Sequence, residues 1–193
     1  MGNKILLIGS PRTGGHSVLE NLTSDEHSNF GEILFCKEDD DCKSIIESRI
    51  QEYNLSKKCI AKVIPGQTPF DRKFIKRQCF KLCEMADTIY YTQRESIIDQ
   101  VISYAVACKQ FDINDVSPWR SNRKMYSKHL SSNDLDKAFD NLSFYSKLVF
   151  EIYKEYPGQV FTLEDDLEYN PYPNRYTYNG DWQPPYKFRM LNG

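Results

Sequence analysis

Between Lys4 and Leu163 the chain alternates between two kinds of segment, and that alternation limits what it can fold into. The first kind is a short apolar run stopped by turn residues. Lys4–Ile8 ends at Gly9, Gly31–Phe35 follows, and Lys58–Ile64 ends at Pro65-Gly66. Thr88–Thr92 is rich in β-branched and aromatic residues, and Val160–Leu163 comes last. Each reads as a strand. The second kind repeats apolar residues at helical spacing. Val18–Leu22 is one; Asp41–Tyr53 repeats through Ile45, Ile46, Ile50 and Tyr53. Phe70–Met85 does so through Phe74, Ile75, Cys79, Leu82 and Met85, and Leu135–Tyr156 through Phe139, Leu142, Tyr145, Val149 and Ile152. Pro157-Gly158 stops that long helix. A further helix is predicted from Ser96, which forms a capping-box pattern with Asp99, to about Lys109. Strand and helix alternate five times. The pattern predicts an α/β fold of three layers, with helices on both faces of a parallel sheet of about five strands. Ligands of such sheets bind outside the carboxyl ends of the strands, so the residues just after each strand carry the functional information.

At 193 residues the chain suits one domain, 1–193. A formal net charge of −2 gives no global case for nucleic acid but leaves room for a local anion site. No run approaches the roughly 20 apolar residues of a membrane helix. The four apolar residues before Gly9 are too few for a signal-peptide core, and Leu6 stands where a myristoylation signal has Ser or Thr. The six cysteines, at 36, 42, 59, 79, 83 and 108, form no C-x2-C pair, and Cys79 with Cys83 has no second ligand pair. They read as buried thiols of a reducing compartment, which points to the cytoplasm. The tail from Tyr169, rich in Pro, Tyr and Asn, reads as an ordered loop.

Gly9 to Ser17 leaves the first strand and opens a helix. Backbone N–H groups at a helix start, approached past glycines, form a cradle for phosphate or sulfate. Arg12 adds a permanent charge and a planar fork of donors; Thr13 and Ser17 add hydroxyls. A nucleoside-triphosphate loop, G-x-x-x-x-G-K-[ST], shares Gly9 and Gly14. Gly15 and His16 stand where its lysine and magnesium-binding hydroxyl belong. Ser17 with Glu20 also forms a capping-box pattern, which would start the helix later and lengthen the loop. A plain strand–turn–helix joint is the remaining reading.

Pro11-Arg12-Thr13-Gly14 resembles the P-[KR]-[ST]-G-[ST]-T loop of the sulfotransferases, departing at Gly15 and His16. The resemblance implies a P-loop NTPase-like fold. It also implies that Arg12, Thr13, Gly14, Gly15, His16 and Ser17 hold the 5′-phosphosulfate of 3′-phosphoadenosine 5′-phosphosulfate (PAPS). Ser17 or His16 would take the missing hydroxyl's place. Thr92–Tyr104 resembles the family element in which a strand-end Arg and a helical Ser grip the donor's 3′-phosphate. Arg94 and Ser103 hold those places, nine residues apart where eight is common. A dianionic phosphate asks for a bidentate cation and a neutral donor. Alone, Arg94 is equally an ion-pair partner of Glu95 or Asp99, and Ser103 a small helix-packing residue. Phe161–Leu167 resembles the family's YEDL segment, with Leu163 for Tyr and one extra acid. Arg175–Trp182 can be laid on R-K-G-x-x-G-D-W through Arg175, Gly180, Asp181 and Trp182, which implies a further 3′-phosphate contact from Arg175. The likeness is nearer to small bacterial and viral-type members than to cytosolic ones.

The chemistry so implied is metal-free sulfuryl transfer from PAPS to an acceptor hydroxyl on a small molecule or glycan. It is an in-line displacement in which the protein positions and stabilises charge. Arg12 would act on the oxygen bridging sulfur and phosphate. Lys62 matches a family lysine after the third strand; alone it reads as a solvated strand-end charge. The family's basic His position is Ile64 here. Glu32, in Phe30-Gly31-Glu32, resembles the Gly-Glu of carbohydrate-type bacterial members, where a Glu is the proposed base; alone it is a solvated strand-start charge. His16 and His129 are further base candidates. Phe111–Asn133, with Trp119, Arg120, Arg123 and His129, lacks periodicity and is expected to cover the acceptor cleft. Two other readings stay open: a P-loop NTP-dependent kinase and a non-catalytic nucleotide-binding relative.

Overall fold

Leu6, Leu7 and Ile8 are apolar without alternation, and the strand they form is buried on both faces, each side chain at 0% exposure. That strand, β1 (Asn3–Gly9), is the middle of the sheet. The computed structural model describes residues 2–36, 41–65, 72–112, 130–163, 182–186 and 191. After β1 come α1 (Gly15–Leu22), β2 (Ser28–Glu32), α2 (Cys42–Leu55), β3 (Lys58–Val63) and α3 (Arg72–Met85). Then follow β4 (Thr88–Gln93), α4 (Ile97–Asp112), α5 (Ser132–Glu155) and β5 (Gln159–Thr162). The five strands lie in the order β2-β3-β1-β4-β5, and every neighbouring pair is parallel.

Side-chain alternation sorts the core into layers. Leu6, Ile8, Ala61, Val63 and Tyr91 face one way, onto Ile46 and Ile50 of α2, Ile75 and Leu82 of α3, and Val149 and Ile152 of α5. Ile5, Leu7 and Ile60 face the other way, onto Val18 and Leu19 of α1. Helix α4 packs on α5 through Val101, Ile102, Ala105 and Val106 against Leu135, Ala138, Phe139 and Leu142. The expected three-layer α/β/α arrangement with a parallel five-stranded sheet is therefore what the chain adopts. Burying such side chains contributes about 1.5–3 kcal/mol each, so β1 and its neighbours form a stiff frame under the loop that follows β1.

Three local expectations need correction. The second strand is Ser28–Glu32, not Gly31–Phe35. Ile33 and Leu34 are buried, but in the turn after the strand, and Gly31 has φ 57°. The ladder shifts register between Asn29 and Glu32, which sets Glu32 beside Lys62. Helix α1 begins at Gly15, so Ser17 does not cap it; Gly14 does, with φ 78°. Finally, Cys36 and Cys42 are joined in a disulfide across the β2–α2 connection, while Cys59, Cys79, Cys83 and Cys108 are free. The strand exit and the helix start lie close enough for the two sulfurs to meet, a proximity that spacing in the sequence does not reveal. Burial pushes the Cys59 thiol up to about 11 and the Cys83 thiol up to about 12.

Other elements agree with the reading. Ser131 caps α5 in a reciprocal capping box with Asp134. The Ser96 hydroxyl accepts the Asp99 N–H at the start of α4 (3.2 Å), and α4 runs to Asp112, past the expected end near Lys109. Trp182 donates its indole N–H to Asp136 (2.8 Å) and packs edge-on against Phe139. The Leu191 N–H reaches the Gln93 side-chain oxygen at the end of β4 (2.9 Å). Among the described residues no helix is long and apolar enough to cross a membrane.

Candidate anion-binding site

Strand order puts the candidate site where the rules for parallel sheets place ligands. From β1 the chain turns toward β2 on one side; from β4 it continues to β5 on the other. Connections that diverge from adjacent strands leave a crevice at their carboxyl ends. The β1–α1 loop occupies that crevice.

The loop is built from its hydrogen bonds. The Thr13 hydroxyl donates to the Ser10 carbonyl (2.8 Å) and shares a second bond with the Thr92 hydroxyl of β4 (2.7 Å). One hydroxyl carries one proton, so with Thr13 donating to Ser10, Thr92 is the donor in the second bond. Both threonines are buried. Gly9 is where this contact demands a glycine: a Cβ there would stand 2.0 Å from Thr92 Oγ1 and 2.8 Å from Thr13 Oγ1. From α4, Gln100 donates its amide to Ser10 Oγ (2.9 Å) and to the Pro11 carbonyl (2.8 Å).

Thus held, the backbone alternates in handedness. Arg12 has φ 68° and Gly14 φ 78°, while Thr13 between them has negative φ. Among the described residues Arg12 is the one non-glycine in that region. Alternation of this kind turns successive N–H groups toward one concavity, which suits an anion. Helix α1 starts at the end of it, and no side chain caps its first turn. The first N–H groups of a helix have no intrahelical acceptor and carry the positive end of its dipole.

Two cations attend this concavity. Arg12, partly exposed, donates Nε–H to the buried Ser103 hydroxyl of α4 at 2.8 Å. Lys62, on β3, is 7% exposed, so it is not the solvated charge that strand-end lysines usually are. Its stem runs beneath Gly15, where a Cβ would lie 3.4 Å from Lys62 Cδ. Its ammonium meets Glu32 Oε1 at 2.7 Å. Glu32 is partly exposed, so the pair joins a buried ammonium to a carboxylate that reaches solvent.

The structure thus gathers Arg12, Thr13, Gly14, Gly15, Lys62, Glu32 and Ser103 around the loop. It treats the other predicted residues differently. The His16 ring is exposed and faces Glu20 one turn along α1 (3.2 Å), which also explains the Ser17–Glu20 pattern without a cap. Ser17 is half-buried in the first turn of α1. Arg94 is half-buried just past β4, two residues beyond Thr92, but the side chain that meets Ser103 is that of Arg12. Arg175, His129, Trp119, Arg120, Arg123, Gly180, Asp181 and the acidic run from Glu164 lie outside the described residues. Burial pushes the Tyr104 phenol, next to Ser103, well above its ordinary range, so it stays protonated near neutral pH. Among the described residues no group of three or more His, Cys, Asp or Glu is placed to hold a metal ion.

Thr92 and Gln100 escaped the sequence reading. A neutral polar residue in a strand or an apolar helix face gives little signal. The one available hint was Gln100 three residues before Ser103, which sets two polar groups on one helix face.

Fold and site together define an α/β protein with a loop after its central strand whose backbone geometry suits an anion. Compared with protein-family models, with curated proteins and with solved structures, the chain finds no match.

Proposed function

We propose that this protein transfers the sulfuryl group of PAPS to an acceptor hydroxyl, carbohydrate hydroxyls among them. The observation that carries the reading is the 2.8 Å bond from Arg12 to Ser103. The sulfotransferase resemblance assigns these residues to the 5′ and 3′ ends of one donor. They stand 91 residues apart in the chain and in contact in space. The acceptor oxygen bonds to sulfur as the bond from sulfur to the phosphate oxygen breaks, leaving 3′-phosphoadenosine 5′-phosphate. The loop N–H groups and Arg12 stabilise charge on the departing phosphate. Glu32 takes the acceptor's proton. Its pairing with Lys62 gives that step an order: the ammonium swings toward the sulfuryl oxygens, and the carboxylate is freed for the hydroxyl.

One observation favours a nucleoside-triphosphate enzyme instead. Lys62 lies beneath Gly15, the position where such loops carry their lysine. Thermal-shift binding separates the two. The sulfotransferase reading expects 3′-phosphoadenosine 5′-phosphate to raise the melting temperature more than ATP with magnesium, and Arg94→Ala to erase that preference. Preference for ATP–magnesium would sink it. Tight binding without sulfuryl transfer to any glycan or phenol, assayed with labelled donor, would mark a non-catalytic relative.

A further inference from the structure

We infer that Gln100 is a positioning residue: its amide holds the loop backbone in the one conformation that presents Arg12 to the anion. The inference rests on the reading of the β1–α1 loop as an anion site, and extends it to a residue on a different element. Gln100 is 3% exposed and lies in a helix whose other buried residues, Ser103 apart, are apolar. A carbonyl only accepts, so the atom facing Pro11 O is the amide nitrogen. Its two protons go to two acceptors, the Pro11 carbonyl at 2.8 Å and Ser10 Oγ at 2.9 Å.

The Pro11 carbonyl belongs to the same peptide plane as the Arg12 N–H. Fixing that carbonyl fixes the plane, and the plane sets the backbone angle at Arg12. Arg12 has φ 68°, a region an arginine does not choose unaided. One turn further along α4, Ser103 takes the Arg12 side chain. One face of one helix therefore grips the residue twice, by the backbone before it and by the guanidinium after it. Without the Gln100 bond the plane is free to rotate, which takes Arg12 to negative φ. The Arg12 N–H then leaves the concavity and its side chain leaves Ser103.

The test uses the full chain, calorimetric titration, and two probes: 3′-phosphoadenosine 5′-phosphate and inorganic pyrophosphate. Gln100→Met keeps the shape and removes both donors; its Kd for each probe should rise about tenfold or more. Gln100→Glu keeps size and polarity, but its carboxylate faces a carbonyl; its loss should exceed that of Gln100→Met. A residue that merely packs would reverse that order or lose nothing. The decisive readout is a cycle with Arg12→Gly, which adopts positive φ freely and has no side chain to aim. In that background Gln100→Met should change Kd by less than about twofold. Losses that multiply instead would overturn the inference, as would a Gln100→Met Kd within twofold of wild type. If Gln100→Met does not fold, Gln100→Glu carries the same cycle. A wild-type protein that binds neither probe would overturn the anion reading first, and the inference with it, which is a distinguishable result.

Discussion

Gly9→Ala is the sharpest perturbation the structure offers. The new methyl would stand 2.0 Å from Thr92 Oγ1, 2.8 Å from Thr13 Oγ1 and 3.3 Å from the Thr92 carbonyl. Both hydroxyls are buried and bonded to each other, so relief means rotating Thr92 off Thr13. Overpacking a tight interior costs about 1–3 kcal/mol, and this case belongs at the top of that range. The lost hydrogen bond adds about 1 kcal/mol. We expect about 3–4 kcal/mol in all, a large part of the roughly 5–15 kcal/mol that holds a domain together, yet not enough to unfold it. Thr92→Ala alone should cost about 1–2 kcal/mol, for the bond and a small void. In the double variant the new methyl moves into the space that Oγ1 leaves. Its cost should be about 3 kcal/mol, below the sum of the singles by about 2 kcal/mol. Thr92→Val is the control. It keeps an atom at the clashing position, so Gly9→Ala with Thr92→Val should show no such rescue. Urea unfolding followed by circular dichroism measures the wild type and all five variants. Additivity within about 0.5 kcal/mol for the alanine pair, or equal rescue by valine, would refute the packing argument.

Arg12→Gly should be more stable than Arg12→Ala by about 1 kcal/mol, since glycine adopts φ 68° without a Cβ penalty; thermal unfolding at matched pH decides, and equal midpoints would contradict the strained backbone. Both should lose anion affinity. The Cys36–Cys42 bridge closes a short loop, so replacing both with Ser, or adding reductant, should lower stability by about 2 kcal/mol in denaturant titrations. No shift on reduction would show that the bridge does not constrain the unfolded chain.

Much of this architecture is written in the order of the residues. Lys4–Ile8, Lys58–Ile64 and Thr88–Thr92 are apolar or β-rich runs with clear stops, and they became β1, β3 and β4 within a residue or so. The helices were legible for the same reason, because their apolar stripes must face a sheet. The second strand was harder. Ile33-Leu34-Phe35 looks like a strand core, yet Ile33 and Leu34 are buried by tertiary packing in a turn, while the polar Ser28-Asn29 pairs at the sheet edge. Only the neighbouring β3 decides that register. At the site, Arg12 stood out as a charge at a strand exit, and Lys62, Glu32 and Ser103 through the sulfotransferase resemblance. Thr92 and Gln100 did not, because their importance lies in which atoms they meet. Those partners, 79 to 90 residues away, leave no periodic trace. The disulfide was illegible for a similar reason, since cysteine spacing says nothing of where a strand exit meets a helix start.

The left-handed backbone at Arg12 has a consequence for transplantation. Its partners are Gln100 and Ser103 on α4, and the neighbouring Thr13 relies on Thr92 of β4. Residues 3 to 22, excised as a peptide or grafted between another protein's strand and helix, would carry every letter of the loop and relax to an ordinary turn. The conformation is a property of the docked β4–α4 unit as much as of the loop's own sequence. A search for kindred proteins by this loop alone would therefore sample the wrong half of the determinant. A glutamine and a serine three apart on the helix that follows the neighbouring strand are the complementary half.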